Sequence, residues 1–476
     1  MDFFRDLLFW ISIFFVFYLI SFATVSFSTI VIGTYKLYNM DRVLKYKNKL
    51  EHEDLPVSIL VPAYNEEVTI VDSVESLLSL DYSLYEIIIV DDGSKDETAS
   101  KLIERFDLKA IKRPINRELE CQPERAVYEN IVDGVSLTLI SKENGGKGDA
   151  LNMGINACRY PYFICMDADS KLQKNSLTEI VEPVFEDEST VAVGGMILIS
   201  QCVKMEDGKA VAYKLPPNLL VAMQAVEYNR SFLAARLMMD AFNGNLIVSG
   251  AFGLFKRTTV VATGGYSAHS LGEDMELVLK IHGYCRNNDI DYNIGYQPSA
   301  VCMTQAPTNL KDLGKQRRRW HIGLIQSMWA HRRVMLNTKF GAVSFFSYLY
   351  YLLYELLSPI VEVFGLVTVA LALYFDVLNL GYMVVFLIVY SIFGAIITLS
   401  AFSQHIYTQK FKISPIEMVK TLFLCILEFG FFRYFLVIVR LLAFLRYKKN
   451  KAIWGQITRV EETDTETETG AAGASN

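Results

Sequence analysis

Tyr162-Phe163-Ile164-Cys165-Met166-Asp167-Ala168-Asp169 runs five apolar or aromatic residues straight into a pair of carboxylates. Such a run predicts a buried strand ending at Met166. Residues two apart on an extended chain face the same side, so Asp167 and Asp169 point together while Ala168 turns away. A random Asp-x-Asp is common; one that closes a hydrophobic strand is much rarer. The pair is suited to a hard divalent cation shared with phosphate oxygens, since Mg²⁺ is held by one or two carboxylates plus the phosphates of its ligand.

Upstream, Val57, Ile59, Leu60 and Val61 form another strand-like run, followed by a loop through Pro62, Tyr64 and Glu66 and a helical pattern to Leu80. Ile87 to Val90 repeats the theme and ends in Asp91-Asp92-Gly93-Ser94, with a helix expected from about Asp96. Strand, loop and helix in repetition predict a parallel sheet that binds its ligand at the carboxyl ends of the strands. The first loop can offer backbone N–H groups and Tyr64 to a nucleotide, and Asp92 can accept from a base or ribose. Asp-Gly-Ser equally describes a turn that caps the next helix. Gly145-Gly146-Lys147 approaches a helix start as a phosphate-holding loop would. It lacks the Gly-x4-Gly-Lys-Ser/Thr spacing of a nucleotide hydrolase.

Downstream, Ser249 to Gly253 predicts a loop that approaches a ligand closely. Glu273-Asp274 opens an amphipathic helix, where a carboxylate either meets the helix dipole or serves as a general base. Gln316, Arg319 and Trp320 are spaced to share one helical face. Trp can stack on a sugar ring and Arg can fork onto a diphosphate. A basic juxtamembrane helix with an interfacial Trp reads the same way.

The chain has 476 residues and net charge −6, which argues against a nucleic-acid partner. Mean hydropathy is +0.25, with the apolar excess at the two ends. Leu8 to Gly33 and about Tyr382 to Ala401 read as membrane spans. Phe345 to Phe375, with Pro359, Glu355 and Glu362, reads as an interfacial helix entering a span, the two carboxylates on one face. Basic clusters at Lys36 to Lys49, Lys311 to Arg333 and Arg446 to Lys451 place the central region in the cytoplasm. An even number of crossings after it follows. The seven Cys show no Cys-x-x-Cys pair and are expected as free thiols, with no zinc. Glu461 to Asn476 is too polar to order itself. The insert from Asp107 to Ser141 carries no readable motif.

The order Asp92, Asp167/Asp169, Glu273-Asp274 and Gln316/Arg319/Trp320 resembles the family 2 glycosyltransferases, specifically the membrane-embedded processive group. Cellulose, hyaluronan, chitin and poly-N-acetylglucosamine synthases belong to that group. The resemblance spans roughly Val57 to Arg333 and the flanking apolar segments. It implies an α/β GT-A catalytic domain, a Rossmann-like mixed sheet, at 36–310 behind a helix at 1–35. It further implies interfacial helices at 311–343, membrane and interfacial helices at 344–450 and a tail at 451–476.

It also implies a UDP-sugar donor (UDP-glucose or UDP-N-acetylglucosamine), Mg²⁺ or Mn²⁺ on Asp167 and Asp169, and inversion to a β-linked polysaccharide translocated across the plasma membrane. Asp274, with Glu273, would supply the base. Pro62, Tyr64, Glu66, Asp92, Lys147, Asp167 and Arg319 would hold the donor. Gln316, Arg319, Trp320 and Asp274 would meet the growing chain. The lipid bilayer and accessory export or regulatory proteins complete the expected partners. Two departures stand out: Gly272 replaces the Thr that precedes the acidic pair in many cellulose synthases, and no PilZ module follows. A non-processive transferase acting on a lipid is the alternative. A silent scaffold would have lost the carboxylates.

Overall fold

The computed structural model describes residues 2–46, 54–428 and 432–447. A long helix, α1 (Asp2–Tyr46), leads into strand β1 (Val57–Ala63), helix α2 (Ile70–Leu78), β2 (Tyr85–Asp91) and α3 (Thr98–Arg105). Next come β3 (Lys109–Ile111), β4 (Glu124–Val132), β5 (Val135–Lys142), α4 (Lys147–Ala157), β6 (Tyr162–Met166), β7 (Lys171–Leu172), α5 (Ser176–Glu186) and β8 (Thr190–Ile199). A hairpin of β9 (Val203–Glu206) and β10 (Lys209–Tyr213) precedes α6 (Leu219–Tyr228), a π-helical turn at Asn229–Ala234 and α7 (Ala235–Asp240). The domain closes with β11 (Phe252–Lys256), α8 (Arg257–Ala262), α9 (Glu273–Asn287), β12 (Asn293–Thr304) and α10 (Leu310–Ala330).

Ten strands form one sheet in the order β3-β4-β5-β2-β1-β6-β11-β8-β12-β7. Strands β5, β2, β1 and β6 run parallel, whereas β11 is antiparallel to both of its neighbours. The alternation of side chains explains the layering. Ile59, Val61, Ile87, Ile89, Ile164 and Met166 fill one core, and Leu60, Ile88, Val90, Phe163 and Cys165 fill the other. Each such fully buried side chain contributes about 1.5–3 kcal/mol. The motif-free insert supplies this sheet with an edge: β3 and β4 are antiparallel additions beside β5.

The remaining helices are α11 (Ser358–Tyr374), α12 (Leu380–Gln409), α13 (Pro415–Leu427) and α14 (Arg433–Leu445). Helix α1, over Asp6–Met40, and α12 are long and apolar enough to cross a membrane. The π-helical stretch from Val343 to Leu356 and α11 together form a pair bent by 48°, a third candidate span. Helix α1 continues through Tyr46, past the boundary expected at residue 35. The expected tail and the basic residues Lys47, Lys49, Lys448, Lys449 and Lys451 lie outside the described residues. All seven Cys are free thiols.

Candidate active site

Four parallel strands deliver their carboxyl ends to one rim: Ala63 leads to Tyr64, Asp91 to Asp92, β5 ends at Lys142, and Met166 leads to Asp167. They open into a cleft of about 2160 Å³. Pro62, Tyr64, Glu66, Asp92, Lys147, Asp167, Asp169 and Arg319, all singled out from the sequence as donor or metal residues, line it. Glu273, Asp274, Gln316 and Trp320 do not line that volume; they sit beyond Lys147 and along α10.

Asp92 does not point its carboxylate freely at a ligand. One oxygen accepts from the Lys142 ammonium at 2.6 Å and from the Gly145 N–H, and the other accepts from the Gly146 N–H at 2.7 Å. Lys142 is wholly buried and also pairs with Asp149 at 2.5 Å. Asp149 in turn accepts from the Gln122 N–H in the insert. Gly146 sits at φ 91, a backbone state that glycine alone adopts without strain. The buried lysine therefore ties the glycine loop, Asp92 and the insert into one wall. Burial pushes the Asp92 carboxyl above its ordinary value, against the pull of Lys142 and the two N–H groups. Asp92 thus also shapes this loop; three bonds are committed, two on one oxygen and one on the other, and the residue still lines the cleft.

Lys147, the first residue of α4, points across the cleft. Its ammonium lies 2.6 Å from Asp167 Oδ1, 3.4 Å from Glu273 Oε1 and 3.4 Å from the Gly250 carbonyl. Burial alone would lower its pKa, but Asp167, Glu273 and Asp274 outweigh it and hold the ammonium charged. Burial also raises the Glu273 carboxyl; Lys147 opposes this and Asp274 adds to it. Asp274 accepts from the Met275 N–H at 2.8 Å and, at 3.4 Å, from the Gly250 N–H. The Ser249–Gly253 loop thereby touches both the lysine and the second carboxylate of the acidic pair.

Among the described residues no group of three or more His, Cys, Asp or Glu could hold a metal ion. Asp167 and Asp169 supply two oxygen-bearing groups at an open cleft beside a lysine. That donor set fits a hard cation whose remaining ligands come from phosphates and water.

The acidic pair meets α10 through bare backbone. A Cβ built on Gly272 would lie 2.9 Å from the Gly323 backbone, and one on Gly323 would lie 2.7 Å from Gly272. Ser327 donates to the Gly272 carbonyl across the same crossing. This contact accounts for glycine where threonine was the comparison.

On α10, Arg319 reaches the cleft, whereas Trp320 packs against Tyr228 and Phe232, ring centroids 6.3 Å from each. Arg317, which the sequence reading passed over, is buried, pairs with Glu227 at 2.6 Å and lies 4.4 Å above the Trp320 ring. A signal for it was Glu227, the single charge of α6. Lys142 was likewise legible as a charge ending a buried strand.

A second cavity, of about 120 Å³, lies among α1, the π-helical turn, α11, α12 and α14. Three guanidinium–carboxylate pairs line it: Arg230–Glu428 (2.9 Å), Arg433–Glu362 (2.9 Å) and Arg440–Glu355 (3.5 Å). Tyr350, Tyr354, Ser26, Thr29 and Ser358 add hydroxyls. The expectation that Glu355 and Glu362 share a face of one regular helix is corrected here. They lie on opposite sides of the 48° bend, and the cavity rather than the helical period reunites them.

Family models match two stretches: "Glycosyl transferase family group 2" over residues 162–401 and "Glycosyl transferase family 2" over residues 58–120. A poly-β-1,6-N-acetyl-D-glucosamine synthase of Staphylococcus epidermidis is 28% identical over 290 residues, 59% of this chain and 59% of that protein. A synthase of the same name from Staphylococcus aureus (strain COL) is 29% identical over 267 residues, covering 56% of this chain and 54% of its own. The matches thus span under two thirds of those relatives. Among solved structures, a mannosyltransferase of Pyrobaculum calidifontis, in complex with GDP-Man and Mn²⁺, superposes with a TM-score of 0.52 at 18% identity. It covers 82% of this chain and 96% of that one, which shows a shared fold.

Proposed function

Since the chain belongs to glycosyl transferase family group 2, we propose that it polymerises a UDP-sugar, UDP-N-acetylglucosamine before UDP-glucose, into a β-linked polysaccharide that passes across the membrane. The names of the relatives support the choice of sugar. The observation that carries the reading is the meeting of Lys147, Asp167, Glu273 and Asp274 at one end of the sheet.

In this reading Lys147 and Arg319 hold the diphosphate of the donor, with Tyr64 and the glycine loop against its nucleoside. A divalent ion, Mg²⁺ or Mn²⁺, on Asp167 and Asp169 would supply positive charge to the departing diphosphate. Asp274 takes the proton from the acceptor hydroxyl as that oxygen bonds to the anomeric carbon. The carbon–phosphate oxygen bond breaks on the opposite face, so the linkage inverts. Trp320, held by Arg317, offers its ring to the terminal sugar of the acceptor. Beyond it, the paired charges and hydroxyls of the second cavity suit an uncharged, hydroxyl-rich chain. The cavity has room for about four waters at the liquid volume of each, so passage requires the pairs to part. In this reading α12 and the bent pair make two crossings after the catalytic domain. That parity leaves both ends of this half on the cytoplasmic side of the plasma membrane.

Detergent-purified protein given a panel of radiolabelled UDP-sugars, followed by linkage-specific hydrolases, tests the proposal. Label from UDP-N-acetylglucosamine in a polymer cut by a β-1,6 hydrolase is the expected result. A single sugar on a lipid, with no polymer, would instead establish the non-processive alternative.

A further inference from the structure

From Leu313 to Tyr354 the chain carries no Asp or Glu, yet it holds Lys315, Arg317, Arg318, Arg319, Arg332, Arg333 and Lys339. The first four belong to the α10 segment beside the cleft. The last three cluster after its end and are all exposed. No carboxylate pairs with Arg332, Arg333 or Lys339 among the described residues; Arg332 lies over the Trp329 ring at 5.3 Å and donates to the Trp329 carbonyl. Lys339 reaches only a backbone carbonyl, that of Asn287, at 3.5 Å.

Apolar side chains surround these cations. Trp329 is 71% exposed, Leu336 56% and Phe346 67%, with Met335 and Phe345 beside them. Leu336 also sits at φ 52, a conformation costly for a bulky residue and kept where surrounding structure imposes it. The turn is fixed from beneath: the Ser344 hydroxyl donates to the Val334 carbonyl and accepts from the Asn337 N–H. A strained, braced turn that displays Met335 and Leu336 leads directly into the bent candidate span.

We propose that residues Trp329 to Phe346 form a binding site for anionic phospholipid headgroups in the leaflet facing the catalytic domain. The exposed aromatics and Leu336 enter the upper acyl region, and Arg332, Arg333 and Lys339 meet the phosphates. Charge complementarity and continuity with the span select this partner over a protein. The site has a functional consequence. Trp329 ends the same helix that carries Gln316, Arg319 and Trp320, so the lipid fixes the far end of the rod on which the acceptor-facing residues ride.

The test uses full-length protein in nanodiscs of phosphatidylcholine with phosphatidylglycerol, one lipid at a time brominated on its acyl chains. The contribution of Trp329 is the difference between wild type and Trp329→Phe. Brominated phosphatidylglycerol should quench Trp329 as if enriched roughly fivefold around it. Arg332→Gln/Arg333→Gln/Lys339→Gln should abolish that preference, and Arg332→Lys/Arg333→Lys should keep it. Polymer formation should rise with the anionic lipid in wild type and stay flat in the glutamine variant, at equal activity in detergent. Equal quenching by the two lipids, or a preference surviving in the glutamine variant, overturns the site. Preferential quenching with no polymer in any lipid leaves the site standing and removes the proposed function instead.

Discussion

The two charged regions of this molecule are built on opposite rules. Around the cleft, Asp167, Glu273 and Asp274 converge on Lys147, with Arg319 also acting on Glu273, so three carboxylates face two cations beside an aqueous opening. Among the membrane helices each guanidinium has its own carboxylate, and the fourth carboxylate of the lining, Glu227, is paired by Arg317 from behind, so every charge there is matched. An unbalanced cluster suits a cation with a charged diphosphate, and its excess carboxylate is available as a base. A balanced one suits a ligand without charge, because nothing in it needs a counterion. Under the proposed function, the comparison teaches that handling of the donor and handling of the product are separated by how the charges are matched.

Removing the base should break the unbalanced side most severely. Asp274→Asn is expected to lower polymer synthesis about 10³-fold, within the usual range for a positioned base. UDP binding, followed calorimetrically, should stay within roughly twofold. Wild-type polymer yield from the variant would end its assignment. On the balanced side, Glu362→Gln removes the carboxylate that forks onto half-buried Arg433 and should destabilise the protein by about 1–3 kcal/mol. A detergent melting curve reads this, and Glu362→Gln/Arg433→Gln should recover most of the loss. If the single variant melts as wild type does, the pairing has no structural weight.

His282 belongs to neither region and carries one part of the effect of pH on the fold. Its two ring nitrogens bond the Tyr292 hydroxyl and the Asn245 carbonyl, and burial lowers its pKa to about 4. The unfolded chain binds the proton more readily between pH 4 and 6.5, so the native state loses about 3 kcal/mol as pH falls through that window. Melting of the protein across that range should show the slope, and His282→Gln should reduce it, with His321, which burial lowers to about 3, supplying part of the remainder. Smallest is Trp320→Ala, expected to shorten chains about tenfold in yield of long product while donor hydrolysis holds, since one stacked ring contributes about 1–1.5 kcal/mol. Equal loss of elongation and hydrolysis would move Trp320 out of the acceptor path.

The sequence made the sheet legible because each strand ends in a motif: β2 at Asp91-Asp92 and β6 at Asp167, both buried runs that stop at a charge. It made the cleft legible for the same reason, since strand ends converge. What it hid depends on contacts between distant segments. Arg317 and Glu227 are 90 positions apart, and nothing local marks them as a pair. Glu355 and Glu362 misled because the period of a regular helix was applied across a bend. The brace on Asp92 was hidden because Lys142, which donates to one of its oxygens, lies 50 residues later.

The crossing of Gly272 over Gly323 carries one more lesson, for anyone who would transplant motifs between synthases. Main chain lies on main chain there, so the two positions form a matched joint rather than two independent letters. Threonine grafted at 272 would prise the tryptophan-bearing rod off the acidic turn by the depth of a side chain. A successful graft must therefore bring the facing half of the hinge along with it.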